Sequence, residues 1–319
     1  MKILVTGGAG FIGSHVVDAY ISEGHEVVVV DDLSSGKWEN LNHRAKLYLA
    51  DIREKDILER VFEKERFDII NHHAAQISVP LSVANPVLDA DINVTGFLNI
   101  LELSVKYKIK KVIFISSGGA LYGEASEYPT SETYPPKPLS PYAITKYVSE
   151  NYLYFYNNQY GLDYTILRYA NVYGPRQIPH GEAGVVSIFM TRLYENKACT
   201  VYAYSDEPEG MKRDYVYVED VAKANIYALS RGSLEAINIA TGVPTSTLDL
   251  FNKVYEVMGR HINLDITLKN PKKDKERPGD IRRSCLNISK AKIILGWEPE
   301  HNIDEGLKKT ASWFFSDKG

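Results

Sequence analysis

The sequence predicts an α/β protein with a doubly wound parallel sheet in its first half and a smaller, less regular C-terminal α/β lobe. Two observations predict this fold class. Short β-branched runs alternate with stretches of helical periodicity as far as Arg168, and a glycine-rich turn directly follows the first run. Apolar runs of this kind are typical of parallel strands that helices cover on both faces. We expect residues 1–170 to form the first domain, segments near 215–240 to return to it, and residues 171–319 to form mainly the second lobe.

The predicted elements follow in a regular order. Apolar β-branched runs predict strands at residues 3–5, 27–30, 46–49, 69–70, 112–115 and 165–167. Apolar residues at helical spacing predict the intervening helices at residues 15–22, 57–62, 94–105 and 142–156. In the C-terminal lobe, helices are predicted at residues 185–194, 221–229, 248–257 and 303–315, and loops at residues 173–184, 206–213 and 269–283.

Composition excludes several classes of protein. The chain has 319 residues, and its 37 Lys and Arg against 41 Asp and Glu give a net charge of −4. So small an acidic excess does not predict contacts with nucleic-acid phosphates. No signal peptide and no run of 18 apolar residues can be recognised, so we expect a soluble protein without a membrane partner.

The cysteines and histidines narrow the chemistry further. Cys199 and Cys285 are too few for a disulfide framework, which predicts a reducing compartment, the cytoplasm by default. The neighbours His72 and His73 lack the i, i+4 spacing of a metal site, and the other histidines are scattered. We therefore expect no metal.

The glycine-rich turn predicts a dinucleotide site. Gly7, Gly10 and Gly13 recur at intervals of three residues between the first strand and the helix that follows. Glycines at such a turn let a pyrophosphate approach the backbone and the N-terminus of the helix. Asp31 ends the second strand, 18 residues after Gly13, where a carboxylate accepts hydrogen bonds from a ribose and repels a 2′-phosphate. The sequence therefore predicts NAD rather than NADP.

A tyrosine and a lysine predict a general base. Tyr142 and Lys146 lie four residues apart near the start of a predicted helix, so they share one face. An ammonium near a phenol favours the phenolate and lowers the pKa of the tyrosine toward neutrality. The same spacing also arises on ordinary surface helices, since the chain has 22 tyrosines.

Serines follow the fifth predicted strand. Ser116 and Ser117 lie at the carboxyl edge of the sheet, where open α/β sheets bind ligands. A hydroxyl there can bond the oxygen that Tyr142 deprotonates. The alternative is ordinary turn chemistry, because serine and glycine commonly end strands.

The predicted loop at residues 269–283 is strongly basic, with seven Lys and Arg against three acidic residues. The charge run by itself favours a solvated loop. The functional alternative is a basic lip over a cleft that holds an anionic ligand.

Five segments together carry a resemblance to a known family. They are Thr6–Ser14 (TGGAGFIGS), Asp31–Gly36 (DDLSSG), Ser140–Lys146 (SPYAITK), Leu167–Arg176 (LRYANVYGPR) and Arg213–Val218 (RDYVYV). In these segments the chain resembles the extended short-chain dehydrogenase/reductases and, more narrowly, the UDP-glucose (UDP-galactose) 4-epimerases. The resemblance runs from residue 2 to about residue 315. It implies a Rossmann domain for NAD, a C-terminal lobe for a nucleotide sugar, and a homodimer formed by the helices at 94–105 and 142–156.

The resemblance also implies the site residues by position. The implied NAD contacts, beyond the three glycines, are Phe11, Ile12, Asp31, Asp32, Leu33, Ser34, Ser35, Gly36, Lys37, Asp51, Ile52, Ala74, Ala75, Gln76, Asn93, Tyr142, Lys146 and Ala170. The implied substrate contacts are Ser117, Tyr142, Asn171, Arg213, Arg277 and Ser284. Arginines suit a diphosphate because guanidinium groups match phosphate oxygens. From the residues alone, Asp32 and Asp51 are also explained as capping carboxylates.

One departure from the family lies between Ser117 and Tyr122. The family has its catalytic Ser or Thr where this chain has Gly118, one residue after Ser117. Either Ser117 delivers the hydroxyl from a reshaped loop, or Tyr142 acts alone and Ser117 only caps the strand. The 4,6-dehydratases of the family follow their catalytic Thr with Asp-Glu, whereas Gly118 and Gly119 occupy those positions here. The dehydratase activity therefore lacks its acid and its base.

The activity implied is inversion of C4 of the hexose of a UDP-sugar. Tyr142 takes the proton of the 4′-hydroxyl and NAD takes the C4 hydride, which gives a transient 4-keto sugar. The keto sugar rotates to present its other face before the hydride returns. The substrate implied is UDP-glucose/UDP-galactose. If Ser284 lies beside the 2′-substituent of the hexose, its small size extends the substrate to the N-acetylated pair; the alternative is that the loop does not place Ser284 at the sugar. A uronate epimerase, decarboxylase or dehydrogenase stays open, as does a non-catalytic NAD-binding regulator, although a regulator has no reason to keep Tyr142 with Lys146.

Overall fold

The structure, a computed structural model, describes residues 1–179, 184–276 and 280–318. Its strands are β1 (Lys2–Thr6), β2 (Glu26–Asp31), β3 (Lys46–Leu49), β4 (Ile69–His72), β5 (Lys111–Ser117), β6 (Asp163–Tyr169), β7 (Asn171–Tyr173), β8 (Thr200–Ala203), β9 (Lys212–Tyr217), β10 (Glu235–Ile239), β11 (Pro244–Ser246), β12 (Lys272–Lys275) and β13 (Arg283–Ser284). Seven of them form one parallel sheet in the order β3-β2-β1-β4-β5-β6-β10. The predicted doubly wound α/β fold is confirmed.

Helices connect these strands. They are α1 (Phe11–Ser22), α2 (Lys55–Glu65), α3 (Val79–Ala84), α4 (Pro86–Ala90), α5 (Gly96–Lys106), α6 (Gly118–Leu121), α7 (Pro141–Tyr160), α8 (Val185–Tyr194), α9 (Val218–Ala228), α10 (Thr247–Met258) and α11 (Ile303–Lys318). A wider π-helical turn over Asp91–Thr95 leads into α5. All the predicted helices are present, most with one to four further residues at an end.

Both faces of the large sheet are buried, as its continuous apolar strands require. In β1, Ile3 and Val5 pack on one side with residues of α1 and α9, while Leu4 packs on the other side with residues of α2 and α5. All three side chains are fully buried. Alternate residues of each strand thus supply two separate hydrophobic layers.

The strand order places a crevice at the centre of the sheet. The chain winds outward from β1 through β2 to β3, and then resumes on the other side of β1 with β4. The loops that leave the carboxyl ends of β1 and β4 therefore diverge. This reversal of strand order is the position at which open α/β sheets bind their ligands.

The C-terminal lobe is built on smaller sheets. Strand β9 pairs with β7, β11 and β13, and β8 pairs with β12. Helices α8, α10 and α11 enclose a third hydrophobic cluster that includes Phe189, Phe251 and Leu307. Strand β10, from the segment expected to return to the first domain, lies at the edge of the large sheet beside β6. The division into two domains stays a prediction.

The sequence predicts a loop throughout the basic stretch 269–283, and this prediction is wrong in part. Strand β12 (Lys272–Lys275) lies within this stretch and pairs in parallel with β8. All four residues of β12 are exposed, so no apolar alternation marks the strand in the sequence. Because the side chains of β12 are not buried, the strand is held by its backbone hydrogen bonds with β8.

None of the helices in the described part of the chain combines the length and the apolar composition that a membrane span needs.

Candidate active site

A cleft of about 1060 Å³ opens at the carboxyl edge of the large sheet. Its walls come from the β1–α1 turn, the ends of β2, β4 and β5, the first turns of α7, and strands β7 and β9 of the C-terminal lobe. Among the described residues, the cleft brings together most positions that the sequence predicts for cofactor and substrate. Those that line it are Gly7, Gly10, Phe11, Ile12, Gly13, Asp31, Asp32, Ser34, Ser35, Asp51, Ile52, Ala74, Ala75, Gln76, Ser117, Tyr142, Lys146, Ala170, Asn171 and Arg213.

The glycine turn leaves no room for side chains. Gly7 has a φ of +69°, and a Cβ there would lie 2.6 Å from the amide nitrogen of Ala74. A Cβ on Gly13 would lie 2.2 Å from the carbonyl oxygen of Gly7. No side chain caps the N-terminus of α1, so its first N–H groups remain available to a ligand. A turn this close to a helix N-terminus fits a pyrophosphate.

Asp31 has the position and the free acceptor capacity that a ribose requires. Its carboxylate is 7% exposed and accepts one hydrogen bond on each oxygen, from the amide of Ala9 at 2.9 Å and from that of Leu33 at 2.8 Å. Burial raises the pKa of Asp31, and these two bonds oppose the rise. Each carboxylate oxygen can accept a second hydrogen bond, so two ribose hydroxyls can be held at once.

The loop after β2 closes over the glycine turn. The amide of Lys37 donates to the carbonyl of Ala9 at 3.0 Å, and a Cβ on Gly36 would lie 2.8 Å from Asp31 Oδ1. Asp32 accepts from the amide and hydroxyl of Ser34, at 2.9 and 2.6 Å, so its carboxylate caps this loop. Leu33, Gly36 and Lys37 shape the loop without lining the cleft.

Asp51 lies at the same end of the cleft, just after β3. Its carboxylate forms a bidentate pair with Arg53, which holds the pKa of Asp51 below its usual range. Arg53 also pairs with Asp91 at 2.9 Å. Asp51 is thus held in an ion pair, and it lines the cleft together with its neighbour Ile52.

The Tyr142–Lys146 pair lies in the first turns of α7. Ser140 caps the start of this helix, since its hydroxyl accepts a hydrogen bond from the amide of Ala143 at 3.2 Å, and Pro141 suits the first turn. Lys146 is 5% exposed, and its Nζ donates to the carbonyl of Ile115 at 2.9 Å. The Nζ lies 5.9 Å from the centre of the Tyr142 ring.

Burial opposes the charged form of both members of this pair. It raises the pKa of Tyr142 to about 12, against a hydrogen bond with Ser117 that lowers it. It lowers the pKa of Lys146 to about 8, while the charges of Asp89 and Glu150 raise it. The phenol is thus neutral in the chain alone, and a further positive charge in the cleft would shift it toward phenolate.

The position of Ser117 in the cleft with Tyr142 bears on the departure from the family pattern. Ser117 is the last residue of β5 and lines the cleft. A Cβ on Gly118 would instead lie 2.4 Å from Leu286 Cδ1 and 3.2 Å from the carbonyl of Arg168. A side chain at position 118 would therefore enter the protein interior, whereas Ser117 lines the cleft and lowers the pKa of the Tyr142 phenol.

Asn93 acts beneath the cleft rather than in its wall. It is 3% exposed and does not line the cavity. Its amide exchanges hydrogen bonds with the main chain of Gln76, accepting at 2.8 Å and donating at 3.0 Å. Asn93 thus fixes the loop after β4, which does line the cleft.

On the substrate side, Asn171 is exposed and Arg213 half-buried, and both line the cleft. Ser284 is 7% exposed on β13, is paired in register with Arg213 on β9, and is not part of the cavity wall. Arg277 lies outside the described residues. At the mouth, Asp280 and Ile281 reach the cleft wall.

The arginines that end the basic stretch are neutralised locally. Arg282 binds both carboxylate oxygens of Asp206 at 2.9 Å and covers the ring of Tyr204 at 3.8 Å. Arg283 pairs with Glu207 at 2.7 Å. These two arginines therefore support the interpretation of a solvated edge more than that of a free basic lip.

Several features of the site were not predicted from the sequence. Helix α3 and the preceding Ile77 form an apolar wall of the cleft, and Asp89 on α4 is a buried carboxylate near the tyrosine–lysine pair. The short α3 gives no periodic signal, although Ser78 and Asn85 are recognisable capping residues. Within the described residues, no group of three or more His, Cys, Asp or Glu is arranged to hold a metal ion.

Residues 3–240 match the NAD dependent epimerase/dehydratase family. The chain belongs to this family. It is 46% identical to a putative UDP-glucose 4-epimerase of Methanocaldococcus jannaschii, over 98% of this chain and 97% of that one. The UDP-glucose 4-epimerase of Thermotoga maritima, solved with UDP-glucose, superposes with a TM-score of 0.94 at 48% identity, covering 100% of both chains. That of Thermus thermophilus, solved with NAD, gives a TM-score of 0.91 at 43% identity, covering 99% of both.

These comparisons confirm the predicted family, the fold class and NAD as the cofactor. The NAD-binding features of this chain agree with them, because the crowded glycine turn and the half-satisfied Asp31 carboxylate fit a dinucleotide.

Proposed function

We propose that this protein interconverts the C4 epimers of a UDP-hexose, UDP-glucose and UDP-galactose, with bound NAD. One observation carries the proposal: a single cleft holds the dinucleotide turn at one end and brings Tyr142, Ser117 and Lys146 together at the other. The names of the relatives confirm the predicted class of enzyme, an isomerase of the UDP-glucose 4-epimerase type. They do not favour a non-catalytic regulator.

Each residue of the cleft has a task in this reaction. The chemistry that bound NAD supplies is reversible oxidation of C4 of the sugar. Tyr142 accepts the proton of the 4′-hydroxyl and later returns it, as a general base and then a general acid. Lys146 favours the phenolate by its charge, since its Nζ lies within 6 Å of the ring. Ser117 hydrogen-bonds the same sugar oxygen and orients it toward Tyr142.

Inversion requires that the nucleotide be held while the sugar can turn. Asn171 and Arg213 lie on the substrate side of the cleft, and we assign them, with Arg277, to the UDP. A guanidinium binds phosphate oxygens with two parallel hydrogen bonds. Binding energy concentrated on the diphosphate leaves the oxidised sugar free to present its other face.

Incubation of the purified protein with UDP-glucose, followed by NMR of the sugar, tests the proposal. We expect UDP-galactose to appear without added NAD and without net NADH. Accumulation of NADH or of carbon dioxide from UDP-sugars would instead identify a dehydrogenase or a decarboxylase. Turnover of UDP-glucuronate alone would identify a uronate epimerase.

Replacing Ser117 by Ala tests whether Ser117 supplies the catalytic hydroxyl that the family carries at the next position. We expect epimerisation to slow by roughly 10- to 100-fold, at or below the scale of one lost active-site donor. Thermal unfolding should stay near that of the parent, because Ser117 is half-buried and caps no helix by its side chain. Equal turnover in Ser117→Ala and the parent would leave Tyr142 to act alone.

Replacing Ser284 by Tyr tests the predicted size limit on the sugar. If Ser284 borders the 2′-substituent, the parent also interconverts UDP-N-acetylglucosamine and UDP-N-acetylgalactosamine, and Ser284→Tyr loses this activity while keeping that on UDP-glucose. Because Ser284 is buried, Ser284→Ala serves as the control, and the readout is the ratio of the two activities. An unchanged ratio would place the limit elsewhere.

A homodimer is the expected assembly. Helix α7 exposes Ile144, Tyr154 and Phe155, which are 47%, 64% and 49% exposed, on the surface away from the sheet. We assign this surface, with α5, to a four-helix contact between two copies. Light scattering of the purified protein tests this assignment by measuring the mass.

The two cysteines are buried and unpaired, which supports a reducing compartment such as the cytoplasm.

A further inference from the structure

Helix α4 carries a buried carboxylate that the mechanism above does not use. Asp89 is 1% exposed and accepts hydrogen bonds from Thr145 Oγ1 at 2.9 Å, Gln76 Nε2 at 2.7 Å and Asn93 Nδ2 at 3.1 Å. All three donors are neutral. A carboxylate buried on neutral donors is costly unless a positive charge lies near it.

The three donors come from three different elements around the active site. Thr145 lies on α7 between Tyr142 and Lys146, and its hydroxyl is also 3.0 Å from the carbonyl oxygen of Tyr142. Gln76 belongs to the cleft-lining loop after β4, and Asn93 holds the main chain of that loop. Asp89 therefore joins the turn that carries the base to the loop that faces the cofactor.

The charge of Asp89 acts on both members of the catalytic pair, raising the pKa of Tyr142 and that of Lys146. Two other carboxylates of the described residues already have arginine partners, although the charge of Glu150 also raises the pKa of Lys146. Glu150 is bound by Arg168 at 2.6 Å, and Asp91 is bound by Arg53. Burial keeps the pKa of His72 and that of His73 far below their usual range, so both rings are neutral.

We propose that Asp89 is a positioning residue for the general base: its carboxylate locks the Tyr142–Lys146 turn of α7 against the loop after β4 and balances the buried ammonium. In the resting protein it keeps Lys146 protonated and Tyr142 a phenol. The proton of the phenol then leaves only when the cleft gains positive charge. This inference rests on the proposed function, since it gives Tyr142 the role of base.

Asp89→Asn removes the charge and keeps the shape. The amide oxygen can still accept from Gln76 and Asn93, and the amide nitrogen can donate to Thr145, whose hydroxyl keeps its contact with Tyr142. We expect the rising and the falling limb of kcat/KM against pH both to move down by about one unit, because the charge of Asp89 raises the pKa of Tyr142 and that of Lys146. Thr145→Val is the matched control, since it removes the hydrogen bond between α7 and Asp89 but keeps the carboxylate. This variant should lower kcat without moving the limbs of the pH profile.

A second readout does not depend on turnover. Tyrosinate absorbance is titrated in the parent and in Tyr142→Phe, each with its bound NAD, and the difference reports Tyr142. When the same two proteins are compared with Asp89→Asn added to each, Tyr142 should titrate about one pH unit lower than in the parent. If Asp89→Asn does not fold, Asp89→Ser removes the same charge and leaves space for a water molecule.

The outcomes separate the two claims. A lowered titration and a lowered limb in the Asp89 variant, with neither in Thr145→Val, support the positioning role. A limb and a titration that coincide with those of the parent overturn it. If the parent does not epimerise UDP-glucose, the proposed function fails, while the absorbance titration still decides the effect of Asp89 on Tyr142.

Discussion

Tyr142→Phe should lower the epimerisation rate by about 10² to 10⁴, the usual contribution of a positioned general base. The substitution removes one oxygen and keeps the ring, so the packing of α7 against β5 is retained. The loss of the hydroxyl is confined to the end of the cleft that Ser117 also lines, and leaves the glycine turn and Asp31 untouched. Bound NAD should therefore remain near the parent level. The rate is followed by NMR with UDP-glucose, and the NAD is measured after denaturation.

Tyr160→Phe provides the matched control for this variant. Tyr160 is on the same helix, is 54% exposed and does not line the cleft, so its loss of a hydroxyl should leave the rate unchanged. A Tyr142→Phe variant that turns over at nearly the parent rate would contradict the assignment of the base. A variant that loses its NAD as well would show that the hydroxyl contributes to holding the cofactor.

The first half of the fold was predictable because local pattern and burial agree there. Strands β1, β2, β4, β5 and β6 are buried over almost their whole length, while β3 at the edge of the sheet is partly exposed. The longer helices between them carry apolar residues at helical spacing. Strand β12 was missed because its residues are exposed and its order comes from pairing with β8. Helices α3 and α4 were missed because each is too short to show a period.

The candidate site divides in the same way. The glycine turn and Asp31 are close in sequence and obey a spacing that backbone geometry dictates, so both could be placed before the structure was known. Asp89 could not, because its importance depends on Gln76, Asn93 and Thr145 meeting in space. The effect of Ser117 on the pKa of Tyr142 likewise depends on the direction of a single side chain at the end of β5.

Lys146→Ala should shift the pH dependence of epimerisation as well as its rate. Without the ammonium the phenolate of Tyr142 loses its nearest cation, so the pKa of the tyrosine rises and the rising limb moves to higher pH, by about one to three units. At neutral pH this corresponds to a rate about 10- to 10³-fold lower, since each unit is a factor of ten. The pH profile of kcat/KM with UDP-glucose measures the shift.

The falling limb of the same profile at high pH tests the role of Lys146 independently. Burial lowers the pKa of Lys146 to about 8, so the parent loses the ammonium, and with it the support for the phenolate, as the pH rises through that value. The parent should therefore show a falling limb near pH 8 that Lys146→Ala lacks. Lys146→Arg keeps a positive charge at every accessible pH and should restore the position of the rising limb while also lacking the fall. If Lys146→Ala keeps both limbs of the parent, the ammonium does not act on the base, and its hydrogen bond to the carbonyl of Ile115 would be its whole role.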